Sequence, residues 1–190
     1  MKSFAVAAIL ALAGLAACQT ISEEACAAGD WEGIGFKDGT RGHSRSRLAD
    51  IAKTCGKYQI QPDRFAYLQG LEDGLIRYCT PEQGYRSGRS GSGVNNECTV
   101  RGFDGYIDAH AVGYAEHRIE SEYESLIARW HETDKALLNV TQRLEDPELA
   151  EAERIRLSKK QRRLRRRAEN LRIDIRSMER LHGFHRWRPA

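Results

Sequence analysis

The groups that could do chemistry in this 190-residue chain are five cysteines, six histidines and a set of carboxylates repeated beside glycine. Gly35-Phe36-Lys37-Asp38-Gly39 is matched by Gly70-Leu71-Glu72-Asp73-Gly74 and, more weakly, by Gly113-Tyr114-Ala115-Glu116. If three helices converged, Asp38, Asp73 and Glu116 would meet, and paired carboxylates perform acid–base work. Acids beside helix glycines more often cap or face water, so catalysis is not expected of them. His110 and His117 could share one helix face, as could His182 and His185; none of these, nor His43 or His131, stands in a His-Glu-x-x-His frame. No Gly-x-Ser-x-Gly elbow, no Cys-x-x-Cys pair and no histidine at finger spacing from a cysteine is present. The chain is therefore not expected to be an enzyme, and neither a metal nor a cofactor is expected.

The cysteines divide into one and four. Cys26, Cys55, Cys79 and Cys98 form an even set that reads as two disulfides in an oxidising compartment. Three pairings are open, and shorter loops favour Cys26–Cys55 and Cys79–Cys98. Cys18 instead closes an apolar run from Phe4 to Ala17 that follows Met1, Lys2 and Ser3. That run is short of the ~20 residues of a membrane-spanning helix, and its small-residue exit suits a signal peptidase. Leu15-Ala16-Ala17-Cys18 resembles the lipobox of bacterial lipoproteins, which implies an acylated Cys18 as the mature N-terminus. By the same resemblance the non-acidic Gln19 implies sorting to the outer membrane. A plain secretory signal ending in Ala17, with Cys18 left in the mature chain, is the competing reading.

The elements that must position these groups follow in order. Residues 1–17 are expected to be the signal peptide and residues 18–25 an acylated tether. Twelve of the 17 glycines lie between Gly29 and Gly93, and three more at Gly102, Gly105 and Gly113, inside a disulfide-braced helical domain over residues 26–115. Glycines four apart share a helix face, and each costs ~1 kcal/mol against alanine there, which is tolerable where another backbone packs closely. Close helix packing is thus the expected use of the repeats. The alternative is a ligand groove floored by Gly35, Gly39, Gly70 and Gly74, with Trp31, Asp38, Tyr67 and Asp73 beside it. Residues 44–58 read as a helix with Leu48, Ile51, Ala52 and Cys55 on one face. A second helix begins near Pro62 and carries Phe65, Leu68, Leu71 and Leu75 to Cys79. Residues 84–96 lack an apolar period and read as a solvated loop, in which Arg86 and Arg89 could contact an anion.

A family resemblance rests on this region. Trp31, Gly35-Phe36, Asp38-Gly39, Cys55, Pro62-Asp63, Tyr67, Gly70, Gly74-Leu75, Tyr78-Cys79-Thr80-Pro81, Gly84, Gly88, Gly91 and Cys98 stand in an order that resembles an uncharacterised family of Gram-negative lipoproteins, domain of unknown function 2799. The resemblance covers residues 18–114, and Tyr78-Cys79-Thr80-Pro81 with its following glycines is its most specific part. It implies a periplasmic, lipid-anchored protein and supplies no catalytic residues.

The last third differs in kind. Ile119, Tyr123, Leu126, Trp130, Thr133, Leu137, Val140 and Leu144 step by alternating fours and threes, a heptad seam. After Asp146-Pro147, read as a cap and first turn, Leu157, Gln161, Leu164, Ala168, Leu171, Ile175, Met178 and His182 form a second seam. The short joint predicts a long antiparallel coiled-coil hairpin over residues 116–182. Residues 116–146 hold eight acids and four bases, and residues 147–190 six acids and 14 bases, so the helices are expected to complement each other in charge. The densest basic patch is Arg162, Arg163, Arg165, Arg166 and Arg167, either a solvated face or a contact for anionic partners. The tail over 183–190 mixes aromatics with arginine, which suits a membrane interface or a return over the hairpin end.

The fold class is thus mostly α. The expected protein is a lipoprotein facing the periplasm from the outer membrane, with a structural or protein-interaction role. A small-ligand or cell-wall-binding module using the Gly-rich domain is the alternative. Partners are the membrane through the lipid and an envelope protein or anionic polymer; nucleic acid is not expected behind a signal sequence. Mass spectrometry of the native product should find a mature chain starting at acylated Cys18; any other start, or an unmodified thiol, removes the anchor.

Overall fold

A computed structural model describes residues 21–184. The expected signal peptide, the acylated Cys18 and residues 185–190 of the tail lie outside the described residues. The described residues are helical, without a strand, and divide into a unit ending at Tyr114 and a unit beginning at Ala115. No described helix is long and apolar enough to cross a membrane.

The first unit contains α1 (Glu23–Ala28), α2 (Trp31–Gly39), α3 (Arg47–Cys55), α4 (Arg64–Tyr78), α5 (Pro81–Arg89), α6 (Asn96–Val100) and the start of α7 (Asp104–Leu144). Short helices need their orphan N–H groups satisfied, and side-chain caps do so here. Ser22 accepts from Ala25 N–H, Asp30 from Gly33, Asp63 from Phe65 and Ala66, Thr80 from Gln83, and Asn95 from Glu97. Disulfides join Cys26 to Cys55 and Cys79 to Cys98, closing separations of 29 and 19 residues. Loops of that length restrain the unfolded chain by ~3–4 kcal/mol each in the entropic account. The four half-cystines pack with Trp31, Ile51, Tyr67, Leu71, Leu75 and Tyr106 as the core.

Glycine decides the helix contacts. Where α2 and α4 cross, a Cβ on Gly35 would strike the Tyr67 carbonyl, and one on Gly39 the Leu71 carbonyl. Reciprocally, Gly70 faces the Glu32 carbonyl and Gly74 the Phe36 carbonyl. The hydrogen in place of each Cβ therefore points at a carbonyl oxygen, a Cα–H···O geometry worth about 0.5–1 kcal/mol apiece. A second crossing uses the same device: Gly84 meets the Tyr106 carbonyl, Gly88 the His110 carbonyl, and Gly113 the Tyr85 carbonyl. The third copy of the glycine phrase thus packs α7 on α5 rather than joining the first two.

Three expectations are corrected. Residues 84–96 are not one loop: α5 runs to Arg89 and α6 starts at Asn96, because Thr80 caps, Pro81 opens, and the buried face is Gly84 and Gly88 rather than apolar side chains. The helix expected to begin at Pro62 begins at Arg64 behind the Asp63 cap. Its Phe65 is 85% exposed, since the buried face of α4 is Tyr67, Gly70, Leu71, Gly74 and Leu75.

The second unit is an antiparallel hairpin of the rest of α7 and α8 (Glu151–His182). The Tyr123 hydroxyl donates to Glu179 at 3.0 Å and the Gln161 amide to Thr141 at 3.0 Å, while Arg154 donates to the carbonyls of Leu144 and Asp146. As one partner rises in number the other falls, which is the antiparallel register. Tyr123, Leu126, Trp130, Thr133 and Val140 are buried from one seam, and Leu164, Ala168, Leu171 and Ile175 from the other. The Asp146-Pro147 joint differs from expectation. Asp146 accepts from Glu148 N–H, Leu149 turns inward, and α8 starts at Glu151. At the other end Phe184 stacks on Tyr123, with ring centroids 4.5 Å apart, so the start of the tail folds back on the hairpin.

If the crossings depend on backbone contact, Gly70→Ala should cost about 2–3 kcal/mol by overpacking. Gly56→Ala, where a Cβ meets nothing within 4 Å, should be neutral or stabilise by about 0.4–1 kcal/mol. Chemical denaturation of both variants checks the contrast.

Candidate functional site

The residues set beside the expected groove come together, but as packing. Gly35, Gly39, Gly70 and Gly74 are buried against backbone, so they form no open floor. Trp31 and Tyr67 lie in the core at 8% and 0% exposure. What remains at the surface is a shallow hollow of about 240 Å³ lined by Asp30, Glu32, Gly33, Phe36, Gly70 and Asp73. Arg77 lies over the Phe36 ring, 5.3 Å from its centroid.

Asp38 is the one carboxylate of the repeat that the fold takes inside. It is 4% exposed, and its Oδ2 accepts from Tyr67 Oη at 3.0 Å and from Arg47 Nε at 2.9 Å. Its own carbonyl accepts from the Arg41 and His43 amides, so Asp38 ties the α2–α3 connection to α4 from both ends. Burial, reinforced by the neighbouring Asp38 charge, pushes the Tyr67 phenol well up against the opposing pull of Arg47, so it stays protonated and donates. Asp73 and Glu116, by contrast, are exposed. The repeat therefore does not assemble an acid–base pair.

A second fastening was invisible in the sequence. Glu97, 8% exposed, accepts from Arg101 at 2.6 Å and from the Arg45 amide at 3.1 Å, with the Arg45 guanidinium at 3.7 Å. Arg101 also reaches Glu72 at 3.2 Å. Arg47 and Arg45 were missed because no periodic rule links either to its carboxylate: Arg47 lies across a turn from Asp38, and Arg45 lies 52 residues from Glu97. Of the histidines, His110 is buried with Nε2 2.9 Å from the Ser92 carbonyl oxygen. Among the described residues no group of three or more His, Cys, Asp or Glu side chains could hold a metal ion.

On the hairpin, Arg162, Arg163, Arg165, Arg166 and Arg167 are all exposed. Arg156, Lys159 and Lys160 extend the patch, and with Arg163, Ala152 and the half-exposed Ile155 they line a shallow hollow along α8. The signal for these three was present in the spacing, which repeats every three or four residues towards Arg163. Arg143 reaches Glu153 at 3.7 Å, but among the described residues no ion pair engages any of these eight cations. The expected charge complement between the two helices is therefore not realised as contacts along this patch.

Residues 30–115, which lie almost wholly in the first unit, match the family model described as protein of unknown function (DUF2799). No curated protein matches the chain, and no solved structure matches it. The hairpin beyond residue 115 lies outside the family match.

Glu97 gives the site a pH signature. Burial pushes its carboxyl up, but the Arg101 hydrogen bond, the Arg45 amide and the two guanidinium charges outweigh this and hold it below the ordinary value of 4.5. On acidification the unfolded chain takes up this proton first, so the stabilisation is complete above 4.5 and is lost as pH falls through the lower folded value. Glu97→Gln should cost about 1–3 kcal/mol at neutral pH, and the gap to the wild type should narrow as denaturation is repeated at pH below 4.5.

Proposed function

We propose that the protein is a lipid-anchored envelope protein, held through Cys18 at the outer membrane and facing the periplasm, whose hairpin is a protein-interaction arm. The cationic face of α8 contacts an acidic partner in the envelope. The observation that carries this reading is the row of eight exposed cations with no ion pair among the described residues. Arg156 with Lys160, Lys159 with Arg163, Arg162 with Arg166, and Arg163 with Arg167 stand four apart, and like charges so placed each cost a helix about 0.2–0.5 kcal/mol. An anionic partner offsets that cost and adds long-range attraction. The location rests on the signal-like N-terminus and its lipobox resemblance; the non-enzymatic reading rests on Asp38 being held by Arg47 and Tyr67. The alternative groove over Gly35, Gly39, Gly70 and Gly74 draws no support, since α2 and α4 fill it with backbone.

Crosslinking in the native envelope tests the arm. The full-length protein should capture a partner, and raised salt should weaken capture. The triple variant Arg163→Glu, Arg165→Glu, Arg166→Glu should lose it while keeping its helical circular dichroism. Unchanged capture by the triple variant overturns the reading.

A further inference from the structure

The outer side of α3 and the start of α4 form an open groove that the reading above does not use. Its volume is about 590 Å³, within the range of small-molecule sites, about 300–1,000 Å³. Leu48, Ala49, Ala52 and Gly56 line it at steps of one, three and four, so they share one side of α3 and its end. Pro62 and Leu68 complete the apolar lining from the other helix and its lead-in. α3 buries Ile51 and Cys55 in the core, whereas Ala49, Ala52 and Gly56 are exposed. Leu48 and Leu68 are partly buried and pack on the core, which fixes the floor. A Cβ on Gly56 would meet nothing within 4 Å, so the groove is open at that end.

The polar groups of the lining are Arg45, Gln61 and Arg64, and none of the described lining residues is acidic. Arg64 is exposed and makes no ion pair or side-chain hydrogen bond among the described residues. Its chain neighbour Asp63 is committed elsewhere, accepting from the Phe65 and Ala66 N–H groups. The Arg45 guanidinium lies 3.7 Å from Glu97, whose closer partner is Arg101. The groove thus sets one uncommitted guanidinium and a second, loosely engaged one at an apolar floor. The complement of that charge is an anion, and a guanidinium takes a carboxylate through two parallel N–H donors. The floor follows α3, whose nine residues span about 13 Å, so it suits an extended alkyl chain.

We propose that this groove binds a single-chain fatty carboxylate, with its alkyl chain on Leu48, Ala49, Ala52, Pro62 and Leu68 and its carboxylate on Arg64. Arg45 adds longer-range attraction. The site is independent of the arm on α8. The probe is a dodecanoate carrying a diazirine on its alkyl chain, irradiated with the purified full chain, with adducts mapped by mass spectrometry. Adducts should concentrate within residues 48–68, and unlabelled dodecanoate should compete them away saturably. The methyl ester of the probe lacks the charge and should label about tenfold less, as should the acid with Arg64→Gln, the value of one charged hydrogen bond. Arg64→Lys keeps the charge and should retain part of the labelling. Because Arg64 is exposed, neither variant should lower the melting temperature. Ala52→Leu fills the floor, should lower labelling by the acid, and tests the groove without touching the arginine. Labelling that dodecanoate does not compete away, or that the ester or Arg64→Gln matches, overturns the proposal and leaves an apolar patch. Labelling only by phosphatidylglycerol vesicles with a diazirine on the acyl chain overturns it in favour of a membrane surface.

Discussion

The approach of one helix backbone to another, with a glycine hydrogen directed at a carbonyl oxygen, is the contact on which the first unit rests. It occurs reciprocally between α2 and α4, at Gly35, Gly39, Gly70 and Gly74, and again between α5 and α7, at Gly84, Gly88 and Gly113. Any side chain at these positions would push the helices apart by at least a carbon atom, and the core residues between them would lose contact with one another. The arrangement is costly in one respect: each helical glycine surrenders more chain entropy on folding than alanine would, ~1 kcal/mol. The two disulfides act on the same balance from the other side, because they shorten the list of conformations the unfolded chain can visit. A Gly-rich stretch is here the most closely packed part of the molecule, not its loosest.

Close helix packing leaves little room for polar groups, and the two carboxylates it takes inside are both engaged. A buried carboxylate is tolerated only when charge and hydrogen bonds answer it. Asp38 has a guanidinium and a phenol; Glu97 has two arginines and a backbone amide. Both sit where the connection between α2 and α3 must be held, at residues 41–47, which has few apolar side chains to hold it. The acid that most resembled a catalytic group in the sequence is therefore a fastening, and its tyrosine is a donor fixed in the protonated state.

How far the sequence disclosed this depends on what each contact is made of. The hairpin was legible because Tyr123, Leu126, Trp130, Leu171 and Ile175 are apolar and fall at heptad spacing, and they are the residues that pack. The glycine repeats were legible as close packing for the α2–α4 pair, where the phrase recurs. They were not legible for α5, whose buried face is glycine and so leaves no apolar period to read. Phe65 misled for the complementary reason: it matches helical spacing but lies off the face that the glycines select. Asp38 was visible as a repeated acid, but its partner Arg47 lies across a turn, and no periodic rule links the two. The charge balance of the hairpin was counted correctly as composition, yet composition does not say which side chains reach each other.

That last point bears on how the two units differ. In the first, the unusual residues are consumed by folding: the glycines face backbone, the half-cystines are paired, and Asp38 and Glu97 are bound. In the second, the seam and a few contacts such as Arg154 at the joint hold the hairpin, and the eight exposed cations between Arg156 and Arg167 form no ion pair among the described residues. A helix that needs only to pack does not need arginines and lysines four apart on its outer side; glutamate and lysine in alternation would solubilise it and stabilise it together. The row from Arg156 to Arg167 instead holds like charges against one another. Surface ion pairs contribute little to a fold, so the absence of partners there costs the hairpin little. The mutual repulsion along the row remains, and it is relieved only when something negative is brought against it.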